Sequence, residues 1–174
     1  MEKRPNVLRV GAINIGGLPL EGHGAKLEEI RIYLAKLRLD AVGLTECNVH
    51  WKMVPVQFCL PERTRWWWEC LHINTAYYSE FRGLVWHQAG GISLWSINKG
   101  AHWVMECGKD PRGLGRWAWT RYRGRQGVNI RVVVEYRPVL NKSGSLSVWN
   151  LQKSFFEGIK EEQCPRELFR VNSM

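Results

Sequence analysis

The sequence predicts an α+β domain, mostly one mixed sheet with flanking helices. Three observations point there. Residues 6–46 read strand, helix, strand. Residues 65–138 then break into short aromatic or β-branched runs separated by turn residues, and helical periodicity returns after residue 147. The 174 residues are 45% hydrophobic and include ten tryptophans, enough for one domain with a real core and too apolar for general disorder.

The elements follow in order. "NVLRVGAIN" (6–14) is apolar and β-branched, and the glycine pair in "GGLP" (16–19) stops it. "AKLEEIRIYLAKLRL" (25–39) puts Leu27, Ile30, Leu34 and Leu37 on one helical face, with Lys26, Glu29 and Lys36 opposite. "AVGLTE" (41–46) is the second strand, so the opening is consistent with a crossover unit. "RWWWECL" (65–71), "TAYYSE" (75–80), "GGISLWSI" (90–97), "HWVMEC" (102–107), "RWAWTRYR" (116–123) and "VNIRVVVEYRP" (128–138) suggest an antiparallel meander. "VWNLQKSFFEGIK" (148–160) is helical, and "CPRELF" (164–169) opens another helix with Pro165 at an early position.

Charge and cysteine usage narrow the partners. Twenty-five Lys and Arg against sixteen Asp and Glu give +9, which favours a polyanion, nucleic acid before anionic membrane. Five cysteines at 47, 59, 70, 107 and 164 form no C-x-x-C, so neither a zinc ribbon nor a disulfide framework is suggested, and reduced intracellular thiols are expected. The N-terminus "MEKRPNVLRVG" is charged and no run reaches membrane-spanning length, so a protein without membrane attachment is expected.

The chemistry-bearing residues sit where elements end. "AVGLTECNVHW" runs a buried strand straight into Glu46, and open α/β sheets place ligands at such C-terminal strand ends. The alternative for Glu46 is a solvated loop carboxylate. Asn14 ends the first strand, and its alternative is a turn former next to Gly. Tyr136, Arg137 and Pro138 close the last strand, where Arg137 could fork onto a phosphate oxygen or the triplet could simply end the ladder. Gly90 and Gly91 read as relief of backbone crowding. The stretch 109–137 holds eight Lys and Arg against Asp110 and Glu135. Alternation puts Trp117 and Trp119 on one face with Arg121 and Arg123, so some of these tryptophans are core. Arg123 and Arg125, in the turn, are the better candidates for phosphate contact.

Together, "RVGAINIGGL", "LDAVGLTECN", "QAGGISLW", "RGRQGVNIRVVVEYRP" and "SVWNLQKSFF…CPRELF" resemble the endonuclease/exonuclease/phosphatase superfamily of deoxyribonuclease I-like enzymes. The last two blocks are most similar to the endonuclease domains of non-LTR retrotransposons and other mobile elements. The resemblance implies the N-terminal half of a four-layer α/β sandwich, residues 1–174 forming a single partial domain, truncated. It implies magnesium, or manganese, held by Glu46 in the catalytic centre, with Asn14 beside the metal and phosphate and Tyr136 near the scissile phosphate. It implies phosphodiester hydrolysis, DNA as the favoured partner, and a nuclear setting if the chain derives from a mobile element.

The same resemblance implies groups that these residues do not contain. A complete site uses an Asp-x-Asn pair and an Asp–His pair, whereas Asp40 is followed by Ala-Val, Asp110 by Pro-Arg, and no Asp-His dipeptide occurs. An incomplete, inactive fragment is therefore expected. Its second sheet should be absent, leaving an apolar sheet face for self-association or a complementing chain. The competing reading is a non-catalytic basic nucleic-acid-binding fragment. A weaker one is a relative of inositol-phosphate or sphingomyelin phosphatases, because fold resemblance alone does not choose a substrate.

Overall fold

Hydrophobic period and burial agree over α1 and most of the described strands. The computed structural model describes residues 7–18, 20, 24–79, 88, 90–111 and 113–136, all within the compact unit Met1–Tyr136. The expected helices at 148–160 and 164–169, and Arg137, lie outside the described residues.

Strand β1 (Val10–Asn14), helix α1 (Ala25–Leu37) and strand β2 (Ala41–Thr45) form the expected crossover, and β1 and β2 pair in parallel. Leu27, Ile30 and Leu34 of α1 are buried, while Leu37 is 40% exposed because the helix ends there, at a left-handed Arg38. Two short 3₁₀ turns (Trp51–Met53 and Val56–Phe58) and helix α2 (Leu60–Thr64) lead to β3 (Leu71–Ala76). Strand β4 (Ile92–Ile97) follows, then helix α3 (Lys99–His102) and strands β5 (Val104–Lys109), β6 (Trp117–Arg123) and β7 (Asn129–Glu135).

These strands make an α+β sandwich. A four-stranded mixed sheet has order β1-β2-β4-β3, and a three-stranded antiparallel meander has order β5-β6-β7. The expectation of one sheet with its partner missing is thus corrected: the meander forms a second sheet and packs on the first. All six residues of β4 are buried, as a strand covered on both faces requires. On one side Val42, Leu44, Trp95 and Ile97 meet Leu27, Ile30 and Leu34 of α1 and the loops after β2. On the other, Ile92, Leu94 and Ala76 meet Ala118 and Val134. A Cβ on Gly43 would lie 2.3 Å from Val134 Cγ2, so only glycine permits this close approach of β2 to β7.

Polar groups also fasten the sheets. Asn74 of β3 donates to the carbonyls of Gly108 and Trp119 at 2.9 and 3.1 Å, and the Ser96 and Tyr122 hydroxyls bond at 2.8 Å inside the sandwich. The inward face of β6 is Ala118, Thr120 and Tyr122. Trp117 and Trp119 lie on its outer face, where Trp117 is buried and Trp119 is half-buried beneath the Arg131 guanidinium, 4.5 Å from the ring. An open apolar face was expected on the first sheet; among the described residues its exposed positions are Val10, Ala12 and Asn14 of the edge strand β1.

Two runs are reassigned. Residues 65–68 are turn and bend, not strand, and β3 begins only at Leu71; of the expected strand 75–80, only Thr75 and Ala76 are strand, as the end of β3, and Tyr77, Tyr78 and Ser79 lie beyond it. Trp67 and Trp68 instead pack onto Trp95, with ring centroids 6.3 and 6.2 Å away. Burial of two large rings against the sheet outweighs their β-propensity.

Candidate functional site

The parallel β1–β2 pair ends in a laced corner. Asn14 is the register partner of Thr45, and beyond it the N–H groups of Ile15, Gly17 and Leu18 donate to the carbonyls of Thr45, Glu46 and Cys47. Glu46 adopts a left-handed backbone, φ 54°, as does Asn48, φ 56°. That conformation is uncommon for a residue with a side chain, and such strain concentrates where a group must be aimed. The Glu46 carboxylate meets Tyr136, whose hydroxyl donates to Oε1 at 2.9 Å across 90 residues of sequence. Among the described residues Oε2 has no hydrogen-bond donor. Asn14 Oδ1 accepts the Gly16 N–H at 3.0 Å, the turn-forming contact expected of it, which leaves its Nδ2 as a donor.

Asn14, Glu46 and Tyr136 therefore share one end of the sandwich. The sequence reading missed Arg116, which it counted only within the basic stretch. The Arg116 carbonyl accepts the Tyr136 N–H at 2.9 Å, and its guanidinium lies 5.8 Å from the centre of the Tyr136 ring. Arg116 is only 6% exposed, and its Nε has no partner among the described residues. Burial pushes its pKa down, opposed by the charges of Tyr136 and Asp110. Asp110 is also buried and follows β5 at the same end, with its N–H donating to the Trp117 carbonyl.

Gly90 makes the approach possible. A Cβ there would lie 2.5 Å from Arg116 Nη1 and 3.3 Å from Tyr136 Cε1, and its φ is 87°. Asn48 holds this glycine in place, accepting its N–H on Oδ1 at 2.7 Å while donating its own N–H to the Gly90 carbonyl. This is the crowding relief that the sequence suggested for the glycine pair.

Neighbouring nucleophiles and bases are poorly placed. Cys47 is fully buried and its thiol is pushed up to about 12, so it is no nucleophile near neutrality. His50 is 3% exposed, edge-on to the Tyr77 ring at 5.3 Å, and burial with nearby Lys52 lowers its pKa. No group of three or more His, Cys, Asp or Glu residues able to hold a metal occurs among the described residues.

Arg123 and Arg125 lie elsewhere. Tyr136 and Arg116 flank the start of β6, whereas Arg123 ends it and Arg125 is in the following turn. Seven residues of extended chain place Arg123 roughly 20 Å or more from Arg116, so Arg123 and Arg125 do not contact the same phosphate as Arg116.

Burial, the bond to Glu46 and its negative charge raise the Tyr136 pKa against the opposing pull of Arg116. A raised pKa favours the neutral hydroxyl in the folded state, so its contribution is complete below the ordinary tyrosine value and is lost as pH rises through the folded one. In metal-free buffer, wild-type stability should fall more steeply above about pH 10 than that of Tyr136→Phe. Thermal unfolding of both proteins against pH checks this, and parallel curves would refute it.

Among solved structures, an AP endonuclease from Archaeoglobus fulgidus is similar at 14% identity and a TM-score of 0.48. The match covers 76% of this chain and 42% of that one, so the chain spans less than half the length of that structure. No protein-family model and no curated protein matches the sequence.

Proposed function

We propose that this chain carries part of a magnesium-dependent phosphodiesterase site directed at DNA, with little or no turnover by itself. The observation that carries the reading is the Tyr136–Glu46 hydrogen bond at the C-terminal end of the parallel β1–β2 pair. Glu46 fits a hydrated magnesium ion through its unengaged Oε2, because magnesium keeps several waters and takes one or two carboxylates together with substrate phosphate. Manganese suits the same oxygen donors. When bound, the metal would polarise the phosphodiester and offset its charge.

The protein groups have separate tasks. Tyr136 orients the carboxylate by donating to Oε1. Asn14 offers Nδ2 to a phosphate oxygen. Arg116 supplies fixed positive charge from a buried position, where it is less screened than at the surface. DNA is favoured as substrate by the +9 charge. The second reading, binding without catalysis, draws on Arg123 and Arg125, which are exposed and make no ion pair among the described residues.

The test has two arms. Manganese should broaden the resonances of residues around Glu46 in wild type, and this broadening should vanish in Glu46→Gln. DNA affinity should fall as salt rises, with a log–log slope of about −0.9 per phosphate neutralised. Manganese effects unchanged by Glu46→Gln would remove the metal-site reading. Affinity independent of salt would remove the electrostatic DNA reading.

A further inference from the structure

At the opposite end of the sandwich, a cavity of about 280 Å³ opens between the approach to β1 and the β6–β7 hairpin. Its lining includes Leu8, Trp103, Tyr122, Arg123, Arg125 and Ile130, and no carboxylate among the described residues. We propose that this cavity is a nucleotide-binding site, in which one base stacks on Trp103 and its phosphate is held by Arg123 and Arg125.

The walls divide by chemistry. Arg123 and Arg125 are exposed and flank Gly124, so both can approach one anion. Neither guanidinium is engaged by another described group, which leaves their forked donors for a ligand. Arg121, two residues earlier on the same face, is already committed to Glu106 at 2.9 Å. The remaining wall is aromatic and apolar. Trp103 is half-buried, and its carbonyl accepts the Arg123 N–H at 2.7 Å, which ties the two backbones together at the cavity wall. Tyr122 is 1% exposed with its hydroxyl tied to Ser96, so it forms a rigid floor. Leu8 and Ile130 complete an apolar slot for the edge of a base.

Size sets the class of ligand. The cavity falls just below the usual range of small-molecule sites, about 300–1,000 Å³, which suits one nucleotide. The ligand is either a free nucleoside phosphate or one unit of a single strand, since both present the same base and phosphate. The roughly 20 Å of β6 separating the cavity from Arg116 makes it independent of the Glu46 site.

Calorimetric titration of the full chain tests this with deoxyadenosine monophosphate, deoxyadenosine, and an oligomer of about eight deoxyadenosines, within the span bound by single-strand sites. The nucleotide or the oligomer should bind. Deoxyadenosine should bind at least about tenfold more weakly than the nucleotide, as loss of a charge-assisted contact implies. The Arg123→Ala/Arg125→Ala double variant should lose about tenfold or more, and Trp103→Leu about fivefold or more. Arg65→Ala, which removes an exposed charge outside the cavity, should change nothing. Nucleotide binding without oligomer binding would identify a free nucleotide as the ligand, oligomer binding alone would identify a strand, and binding of both would identify a site for one nucleotide unit in either form. Neither ligand binding, or binding indifferent to the double variant, overturns the proposal. Binding lost in Glu46→Gln but kept in the double variant also overturns it, because the nucleotide would then sit at the other end. The two arginines are exposed in and beside a turn, so their replacement leaves the fold in place even if Trp103→Leu does not.

Discussion

Trp95→Ala should cost about 3–5 kcal/mol, the range for removing a large buried aromatic side chain. That is a large share of the roughly 5–15 kcal/mol that holds an ordinary domain together. Trp95 is fully buried in β4, touches Trp67 and Trp68, and donates its indole N–H to Ser93 Oγ at 2.7 Å. Alanine would open a cavity between sheet and loops and leave that hydroxyl without its donor. Urea unfolding followed by circular dichroism reads the loss directly. Trp66→Ala is the matched control, because Trp66 is 81% exposed with only Arg65 over its ring, and its cost should stay within about 0.5 kcal/mol. Equal costs for the two variants would mean that the core does not centre on β4.

The contrast between neighbouring tryptophans marks the limit of local pattern. β1, α1 and β2 were legible because α1 has a helical period and the two strands are short apolar runs that stop at polar or turn residues, and the parallel pairing follows from the crossover. Trp66, Trp67 and Trp68 look like strand residues by composition, yet a contact with Trp95, nearly thirty positions away, decides their conformation. The division into two sheets was legible in principle. "ISLWSI" does not alternate cleanly, the signature of a strand covered on both faces, whereas the reading took the meander as a continuation of one sheet.

The candidate site divides the same way. Glu46 and Asn14 stood out because a strand ending on a polar group is visible locally. Arg116 did not, since its importance lies in Gly90, 26 positions earlier, and Tyr136, 20 later. The available signal was an isolated arginine between Gly115 and the start of β6, next to a strand that ends on tyrosine. Asp110 was passed over for its following Pro-Arg, but the end of β5 carries it toward Arg116 whatever follows. Arg123 and Arg125 stand out as candidates for phosphate contact because they sit in a turn, but sequence alone does not say which end of the sheet that turn occupies. A seven-residue strand is long enough to separate them from Tyr136 by the height of the sheet.

Supercoiled plasmid incubated with this chain and magnesium should remain uncut at the limit of an ordinary nicking assay, and Glu46→Gln should be indistinguishable from wild type. Hydrolysis needs an acceptor for the proton of the attacking water, and general acid–base catalysis contributes typically about 10²–10⁴ in rate. Positioning of the attacking group contributes further. At the Glu46 end, the titratable groups among the described residues are already committed. Tyr136 is held neutral by its raised pKa and donates to Glu46. Asp110 is buried near Arg116, and His50 is buried against Tyr77. Glu46 would be occupied by the metal it is proposed to bind, so it could not also serve freely as the base. Nor do the 174 residues contain the Asp-x-Asn or Asp-His pairs that the family resemblance requires. Magnesium-dependent nicking that Glu46→Gln abolishes would overturn this expectation while strengthening the site assignment. The base would then have to be a residue assigned no such role here, and His→Gln replacements at positions 50, 72 and 102, each assayed for loss of nicking, would find it or eliminate the described histidines.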